Sequence, residues 1–233
     1  RDTDRSRGLG DVYKRQPMVS SKDHKRAYDG DRGLNTGGMG TISPNPHYSG
    51  EMARRCMKEI FQPTIDAMRE EGRPFQGCLY FGLMLTQDGP KVIEYNSRFG
   101  DPETQVVLPR LKTDLVEILE ACIDGTLKEL DIQWSDEAAA CVVMASGGYP
   151  KSYPKGIEIK GLDENGQISG ATVYHAGTVY RDGRFFTNGG RVLGVTACGA
   201  GLDEALEKAY DAVERIFFDG AHYRKDIGKI GIQ

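Results

Sequence analysis

Five cysteines in 233 residues, none in a CxxC pair, argue against both a disulfide frame and a zinc site. Cys56, Cys78, Cys122, Cys141 and Cys198 are scattered and odd in number, so reduced, mostly buried thiols in a cytoplasmic setting are expected. Positive charge is not in excess either. Thirty Lys and Arg face 34 Asp and Glu, for a net charge of −4 and a pI near 5.7. A non-specific nucleic-acid partner, which needs a basic field, is therefore not expected. No apolar run reaches membrane-spanning length; the longest, AAACVVMA at 138–145, suits a buried strand, so no membrane partner is expected. The opening RDTDRSRGLGDVYKRQ alternates charges without an apolar h-region, and no secretory signal is visible in it. Repeats, low-complexity tracts, a Walker A motif and GxGxxG are all missing. His47, His175 and His222 have no metal-ligand spacing between them and read as structural or surface residues.

What is present allows a sizeable core: 39% of residues are hydrophobic and 27% charged, which suits one large domain or two small ones. Residues 17–48 read as loop-rich, with GGMG and prolines at 44 and 46. A helix is expected from Gly50 to Glu71 on the spacing of Met52, Cys56, Ile60, Ile65 and Met68, with Pro63 kinking or dividing it. CLYFGLML and KVIEYN read as strands joined by TQDGP, whose Asp-Gly suits a hairpin turn. A second helix is expected from Thr104 to Cys122, striped by Leu108, Leu111, Leu115, Ile118 and Leu119. From Ala138 the chain reads as short strands (AACVVMAS, IEIK, ATVYHA, GTVY, RFFT, RVLGVTA) and a closing helix, LDEALEKAYDAVERIF. GAGLDE at 199–204 reads as a plain strand-turn-helix. The expected class is α+β, a ligand-binding half followed by a small β-rich domain, joined near 124–137.

Two stretches carry candidate chemistry. In KVIEYNSRFGDPE, residues 91–103, period-2 alternation puts Val92, Glu94, Asn96 and Arg98 on one face. That row is either a solvent-facing side of an antiparallel sheet or a clamp. A carboxylate and an amide two residues apart can chelate a hard cation such as Mg²⁺, and an arginine beyond them can grip a phosphoryl oxygen. SSKDHKRAYDGDRGLNTGGMG, residues 20–40, joins His24, Lys25 and Arg26 to a glycine-dense loop. Its glycines could let backbone N–H groups converge on an anion; a mobile connector with a solvated basic turn is the alternative.

DHKRAYDGD…NTGGMG, LYFGLM, KVIEYNSRFGDPETQ, VVMASGGYP, HAGT, TNGGRVLGVTA and YRKDIG occur in that order, from about Pro17 to Ile230. Together they closely resemble the phosphoribosylamine–glycine ligase family, the glycinamide ribonucleotide synthetases of purine biosynthesis. The resemblance implies an ATP-grasp fold and a ligase that joins glycine to 5-phosphoribosylamine through glycyl phosphate, cleaving ATP to ADP and phosphate. Residues 17–123 then look like the C-terminal half of an ATP-grasp module and 124–233 like the family's small C-terminal domain. Residues 1–16 match nothing recognised in the family, and their mixed charge and scarce apolar content predict disorder.

By the same resemblance Glu94 and Asn96 match Mg²⁺ or Mn²⁺ ligands, and Arg98 and Lys25 match catalytic groups that steady the transferred phosphoryl. His24, Arg26, Asn35, Thr36, Gly37, Gly38 and Gly40 would close over phosphate and substrate; from their charge alone, Asp101 and Glu103 are candidates for holding the amino ends of glycine or 5-phosphoribosylamine. Asn188, Gly190 and Arg191 could touch substrate, although NGG suits a simple hairpin turn better. The sequence departs from the pattern in three ways. Gly82 stands where many ATP-grasp enzymes have a second metal carboxylate, and Leu34 and Arg32 replace a proline and a threonine of the family loop. The family's N-terminal substrate domain and adenine-binding half are also missing, so the chain is expected to be a fragment, inactive alone. The alternatives are another ATP-grasp carboxylate–amine ligase, or a non-catalytic nucleotide- and metal-binding remnant.

Overall fold

The computed structural model describes residues 16–229. The expected disorder of residues 1–16 lies outside the described residues except at Gln16, whose side-chain amide donates to Leu127 O at 2.9 Å and also to Leu130 O. The chain forms two compact units that interleave along the sequence. One holds 46–100 and 111–135, the other 19–45, 101–110 and 136 onward.

In the second unit, AAACVVMA becomes β7 (Ala138–Ala145), buried along its whole length. A strand buried on both faces reads as a continuous apolar run because neither side meets water. It is the middle strand of an antiparallel sheet ordered β1 (Lys22–Asp23), β4 (Gly40–Ser43), β7, β12 (Arg191–Gly199) and β9 (Thr172–His175). Helix α5 (Leu202–Val213) packs on β7 and β12, burying Ala205, Leu206, Ala209, Ala212 and Val213 at helical spacing. Its tight start is visible at Gly199, where a Cβ would stand 2.7 Å from Ala205 N. GAGLDE is thus the strand-turn-helix its composition suggests. A small sheet, β8 (Glu158–Ile159), β11 (Arg184–Thr187) and β10 (Thr178–Arg181), turns at Asp182 and Gly183, both with positive φ.

Residues 17–48 carry more structure than their glycines and prolines suggest. Besides β1 and β4 they form a hairpin of β2 (Arg26–Tyr28) and β3 (Arg32–Asn35). Strand β4 is entirely buried, because its partner β7 supplies the apolar neighbours that its own sequence, GTIS, lacks.

The first unit contains the helix expected from Gly50, divided as Pro63 requires. Helix α1 (Gly50–Cys56), capped by Ser49, runs through a π-helical turn (Met57–Phe61) into α2 (Gln62–Glu70); Pro63, which has no N–H to donate, sits in the first turn of α2 directly after the π turn. Strands β5 (Tyr80–Thr86) and β6 (Gly89–Asn96) form the hairpin around Asp88-Gly89, with Gly89 at φ 110°. The helix expected over 104–122 is instead interrupted. Helix α3 (Thr104–Val107) and a 3₁₀ turn (Leu108–Arg110) belong to the second unit, α3 packing on β4, β7 and β12. Leu111 then pairs with Trp134, and α4 (Leu115–Asp124) starts afresh on Asp114, whose carboxylate accepts Val116 N–H at 2.7 Å. The leucine periodicity runs through this break, but Pro109 and the Asp114 cap decide it.

All five cysteines are free, and Cys56 and Cys141 are buried while the other three are half-buried, fewer buried than expected. No helix among the described residues is long and apolar enough to cross a membrane.

Candidate functional site

In the first unit, β6 carries Glu94 and Asn96. The register pairs Asn96 with Tyr80 and Glu94 with Gly82, an unbroken antiparallel stretch that puts Glu94 and Asn96 on one face. The next pair is Leu83 with Val92, so Ile93 is an extra residue in β6, a bulge. The expected single row from Val92 to Arg98 is therefore broken at Ile93: Val92 falls out of phase with Glu94 and Asn96, and Arg98 lies past the end of the strand. Gly82 lies where counting across the hairpin places it. A Cβ there would stand 2.5 Å from Glu94 Cγ, so glycine gives the Glu94 side chain its room, at the expense of a carboxylate at that position. Arg98, just past the strand and exposed, donates from Nη1 to Phe99 O at 2.8 Å. No group of three or more His, Cys, Asp or Glu side chains suited to a metal exists among the described residues. A carboxylate and an amide oxygen on one strand face still fit a hard cation that takes its remaining ligands from phosphates and water.

The second unit holds the other candidates. Asp23 on β1 has a side chain only 6% exposed, ion-paired with Lys25 Nζ at 2.6 Å and accepting its neighbour His24 N–H at 2.7 Å. Burial, with a contribution from the Glu103 charge, pushes its carboxyl up to about 6 against the opposing pull of Lys25. Gly38, at φ 116°, is wedged beside it: a Cβ would stand 2.6 Å from Asp23 Oδ1 and 2.5 Å from Pro102 Cδ. His24 is 3% exposed, and both ring nitrogens are engaged by backbone. Nδ1 donates to Gly40 O at 3.1 Å, and Nε2 accepts Gly228 N–H at 3.2 Å, the pattern of a neutral ring. Burial first, then the charges of Arg224 and Lys22, bring its pKa down to about 4 despite the Gly40 hydrogen bond. The ring fastens two backbone segments and offers no nitrogen to a phosphate.

The glycine loop does not form the expected nest. Thr36 N–H donates to Lys25 O (2.8 Å), Gly37 N–H to Tyr149 Oη (3.0 Å), Gly38 N–H to Thr36 Oγ1 (3.0 Å) and Met39 N–H to His24 O (2.9 Å). Its donors are spent on holding the loop's own shape. Glycine is needed here for close approach, at Gly38 as described and at Gly40, whose Cβ would stand 2.7 Å from Cys141 O. Arg26 and Asn35, paired across the β2–β3 hairpin, are both exposed, and Arg26 Nη1 donates to Gly33 O at 2.8 Å.

Arg191, at the start of β12, organises the loop's outer side. Its Nη1 donates to Gly37 O at 2.8 Å and Asp101 O at 3.1 Å, and its Nη2 to Asp101 Oδ2 at 3.2 Å. Gln105 Nε2 holds the other Asp101 oxygen at 3.0 Å. Asp101 is thus half-exposed but already engaged, and Glu103 is buried at 4% exposure. The sequence reading favoured a plain turn at NGGR; the usable signal was a cation opening an otherwise apolar strand. Asp23 and Tyr149 stand inside the DHKR and SGGYP motifs, but their roles depend on partners distant in sequence, Glu103 and Gly37.

Two family models match the chain. Phosphoribosylglycinamide synthetase, ATP-grasp (A) domain, matches residues 7–104, and phosphoribosylglycinamide synthetase, C domain, matches residues 139–230. The first match begins at residue 7, earlier than the Pro17 start read from the motifs. The phosphoribosylamine–glycine ligase of Caldanaerobacter subterraneus subsp. tengcongensis is 51% identical over 210 residues, which is 90% of this chain and 50% of the relative. The trifunctional purine biosynthetic protein adenosine-3 of Gallus gallus is 53% identical over 213 residues, 91% of this chain and 21% of that protein. The crystal structure of phosphoribosylamine–glycine ligase from Thermotoga maritima superposes with a TM-score of 0.79 at 36% identity, covering 90% of this chain and 51% of that one. The chain spans about half the length of the single-function relatives it matches. Its mixed helix-and-sheet fold, the ATP-grasp and C-domain matches and these likenesses agree, and the chain belongs to the phosphoribosylglycinamide synthetase family.

Proposed function

We propose that the chain supplies the metal- and phosphate-handling part of an ATP-dependent ligase of purine biosynthesis that joins glycine to 5-phosphoribosylamine in the cytoplasm. The observation that carries the proposal is the shared face of Glu94 and Asn96 opposite side-chain-free Gly82, in a chain of this family. The module division at 124–137 is supported by family matches that fall on either side of it.

In the proposed reaction a glycine carboxylate oxygen attacks the γ-phosphorus of ATP, releasing ADP and forming glycyl phosphate. The amine of 5-phosphoribosylamine then attacks the glycyl carbonyl, forms the amide, loses a proton and expels phosphate. Glu94 and Asn96 would hold Mg²⁺ or Mn²⁺, which when bound supplies neutralising charge to the ATP phosphates. Arg98 would steady the transferred phosphoryl bidentately. In the other unit Lys25, ion-paired with Asp23, is by itself a candidate phosphate-binding cation. Thr36, Gly37, Gly38 and Gly40 would act through the shape of their loop, which the neutral His24 ring holds from beneath, while Arg26 and Asn35 would face substrate from the hairpin. Asp101 and Glu103, with Arg191, would set charge near the amino groups.

The test is Mn²⁺ binding to the chain in the presence of ATP, followed by electron paramagnetic resonance. Glu94→Ala should weaken it by about tenfold or more, with a smaller loss for Asn96→Ala. Unchanged Mn²⁺ affinity in both variants would overturn the metal assignment.

A further inference from the structure

The β2–β3 hairpin has almost no core of its own. Of its strand residues only Ala27 is buried; Arg26, Tyr28, Arg32, Gly33, Leu34 and Asn35 are exposed. Two strands without an apolar face are at best marginally stable in water. Something else must hold it, and the bonds identify what does. Nearly all its long-range hydrogen bonds run to one segment near the end of the chain, His222 to Gly228.

His222 Nε2 donates to Ala27 O at 2.7 Å, and its ring meets Tyr28 edge-on at 5.2 Å between centroids. Arg224 Nη1 donates to Arg26 O at 3.2 Å and to Asp31 Oδ1 at 2.8 Å. Gly30 N–H donates to Asp226 Oδ2 at 2.7 Å, and Lys225 N–H to Asp29 Oδ1 at 2.8 Å. The segment is itself tied to the rigid part of the unit. Ala145 and His222 exchange backbone bonds of 2.7 and 2.8 Å, and Tyr210 Oη of α5 donates to Arg224 O and accepts Ile227 N–H. Arg224 is the hub: its side chain is 0% exposed, and it also grips Asp226 through Nε at 2.7 Å and Nη2 at 3.1 Å. A guanidinium suits that place because its planar fork serves three acceptors at fixed angles, which an ammonium cannot do.

We propose that His222–Gly228 is a strap that positions the β2–β3 hairpin and its loop for substrate, with Arg224 as the positioning residue. This rests on the reading that Lys25, Arg26 and Asn35 face phosphate-bearing substrate. The strap is placed to act on binding: it bonds the hairpin through Arg26 O, Ala27 O, Asp29, Gly30 and Asp31 and leaves the Arg26 and Asn35 side chains exposed.

Amide hydrogen exchange on the chain tests the mechanical part. In Arg224→Met the amides of Gly30 and Thr36 should exchange at least about tenfold faster, while Val142 and Val195 in β7 and β12 keep their protection. Asp31→Asn, which removes one partner from an exposed position, should give a smaller loss confined to the same amides, and it reads the strap even where Arg224→Met fails to fold. Unchanged hairpin exchange in Asp31→Asn, or equal loss in the hairpin and in β7, would overturn the strap. The functional part is read in the enzyme completed with the other half of a relative. There Arg224→Lys should raise the KM for 5-phosphoribosylamine about tenfold with kcat within about twofold, and an unchanged KM would overturn positioning. No turnover by the unsubstituted enzyme would count against the reading of the site, and the exchange pattern then decides the strap by itself.

Discussion

Asp23 and His24 are adjacent, both buried, and displaced in opposite senses. The Asp23 carboxyl is raised from 3.8 to about 6 and the His24 ring is lowered from 6.5 to about 4. A raised carboxyl contributes stability that is fully present below pH 3.8 and is lost as pH rises through 6, because the buried group must then carry its charge. A lowered imidazole contributes stability that is present above pH 6.5 and is lost as pH falls through 4, because only the unfolded chain then binds the proton readily. At about 1.4 kcal/mol per pH unit each displacement is worth ~3 kcal/mol. Between pH 4 and 6.5 the two slopes oppose and largely cancel in the natural chain. Substitution uncovers each. Asp23→Asn leaves the His24 slope, so stability should fall by ~3 kcal/mol on acidification across that window. His24→Gln leaves the Asp23 slope, so stability should rise on acidification by a similar amount. Asp226, for which burial opposes but the Arg224 hydrogen bonds prevail, is lowered below 3.8 and titrates outside the window. Urea unfolding across pH 4–6.5 reads all three chains. Parallel profiles for the natural chain and Asp23→Asn would refute the reasoning.

Gly40→Ala should cost ~2 kcal/mol or more, since φ 154° and the Cys141 carbonyl at 2.7 Å both reject a Cβ; the check is a lowered urea midpoint with unchanged slope. Met144→Ala, at a fully buried position of the central strand, should cost ~2–5 kcal/mol in the same experiment. Arg191→Met should free Gly37 O and Asp101, and faster exchange of the Gly37 and Gly38 amides with little change in β12 is the expected signature.

The parts of the fold visible in the sequence are those whose burial is written locally. AAACVVMA, the Asp-Gly hairpin, the divided helix at Pro63 and the alanine-rich face of α5 each follow from their own residues. The misreadings share one cause, which is that the deciding partner is distant in sequence. GTIS is a buried strand only because β7 lies alongside it, and the polar β2–β3 hairpin is held by a segment almost two hundred residues away, as the His222–Ala27 bond spans. At the candidate site, the alternation of Glu94 and Asn96 was legible, whereas the bulge at Ile93 depends on a register set across the hairpin. The basic character of DHKR was legible too, but whether His24 faces a ligand or the backbone depends on Gly40 and Gly228.

The most direct measurement is formation of glycinamide ribonucleotide, with phosphate release, from ATP, glycine and 5-phosphoribosylamine. It compares the chain alone, the chain combined with the other half of a relative, and that combination carrying Glu94→Ala. Turnover should appear in the combination, require glycine over other amino acids, and fall by at least about a hundredfold with Glu94→Ala, since metal charge stabilisation is worth several kcal/mol. Turnover that accepts other carboxylic acids as readily as glycine, or that survives Glu94→Ala, would contradict the account.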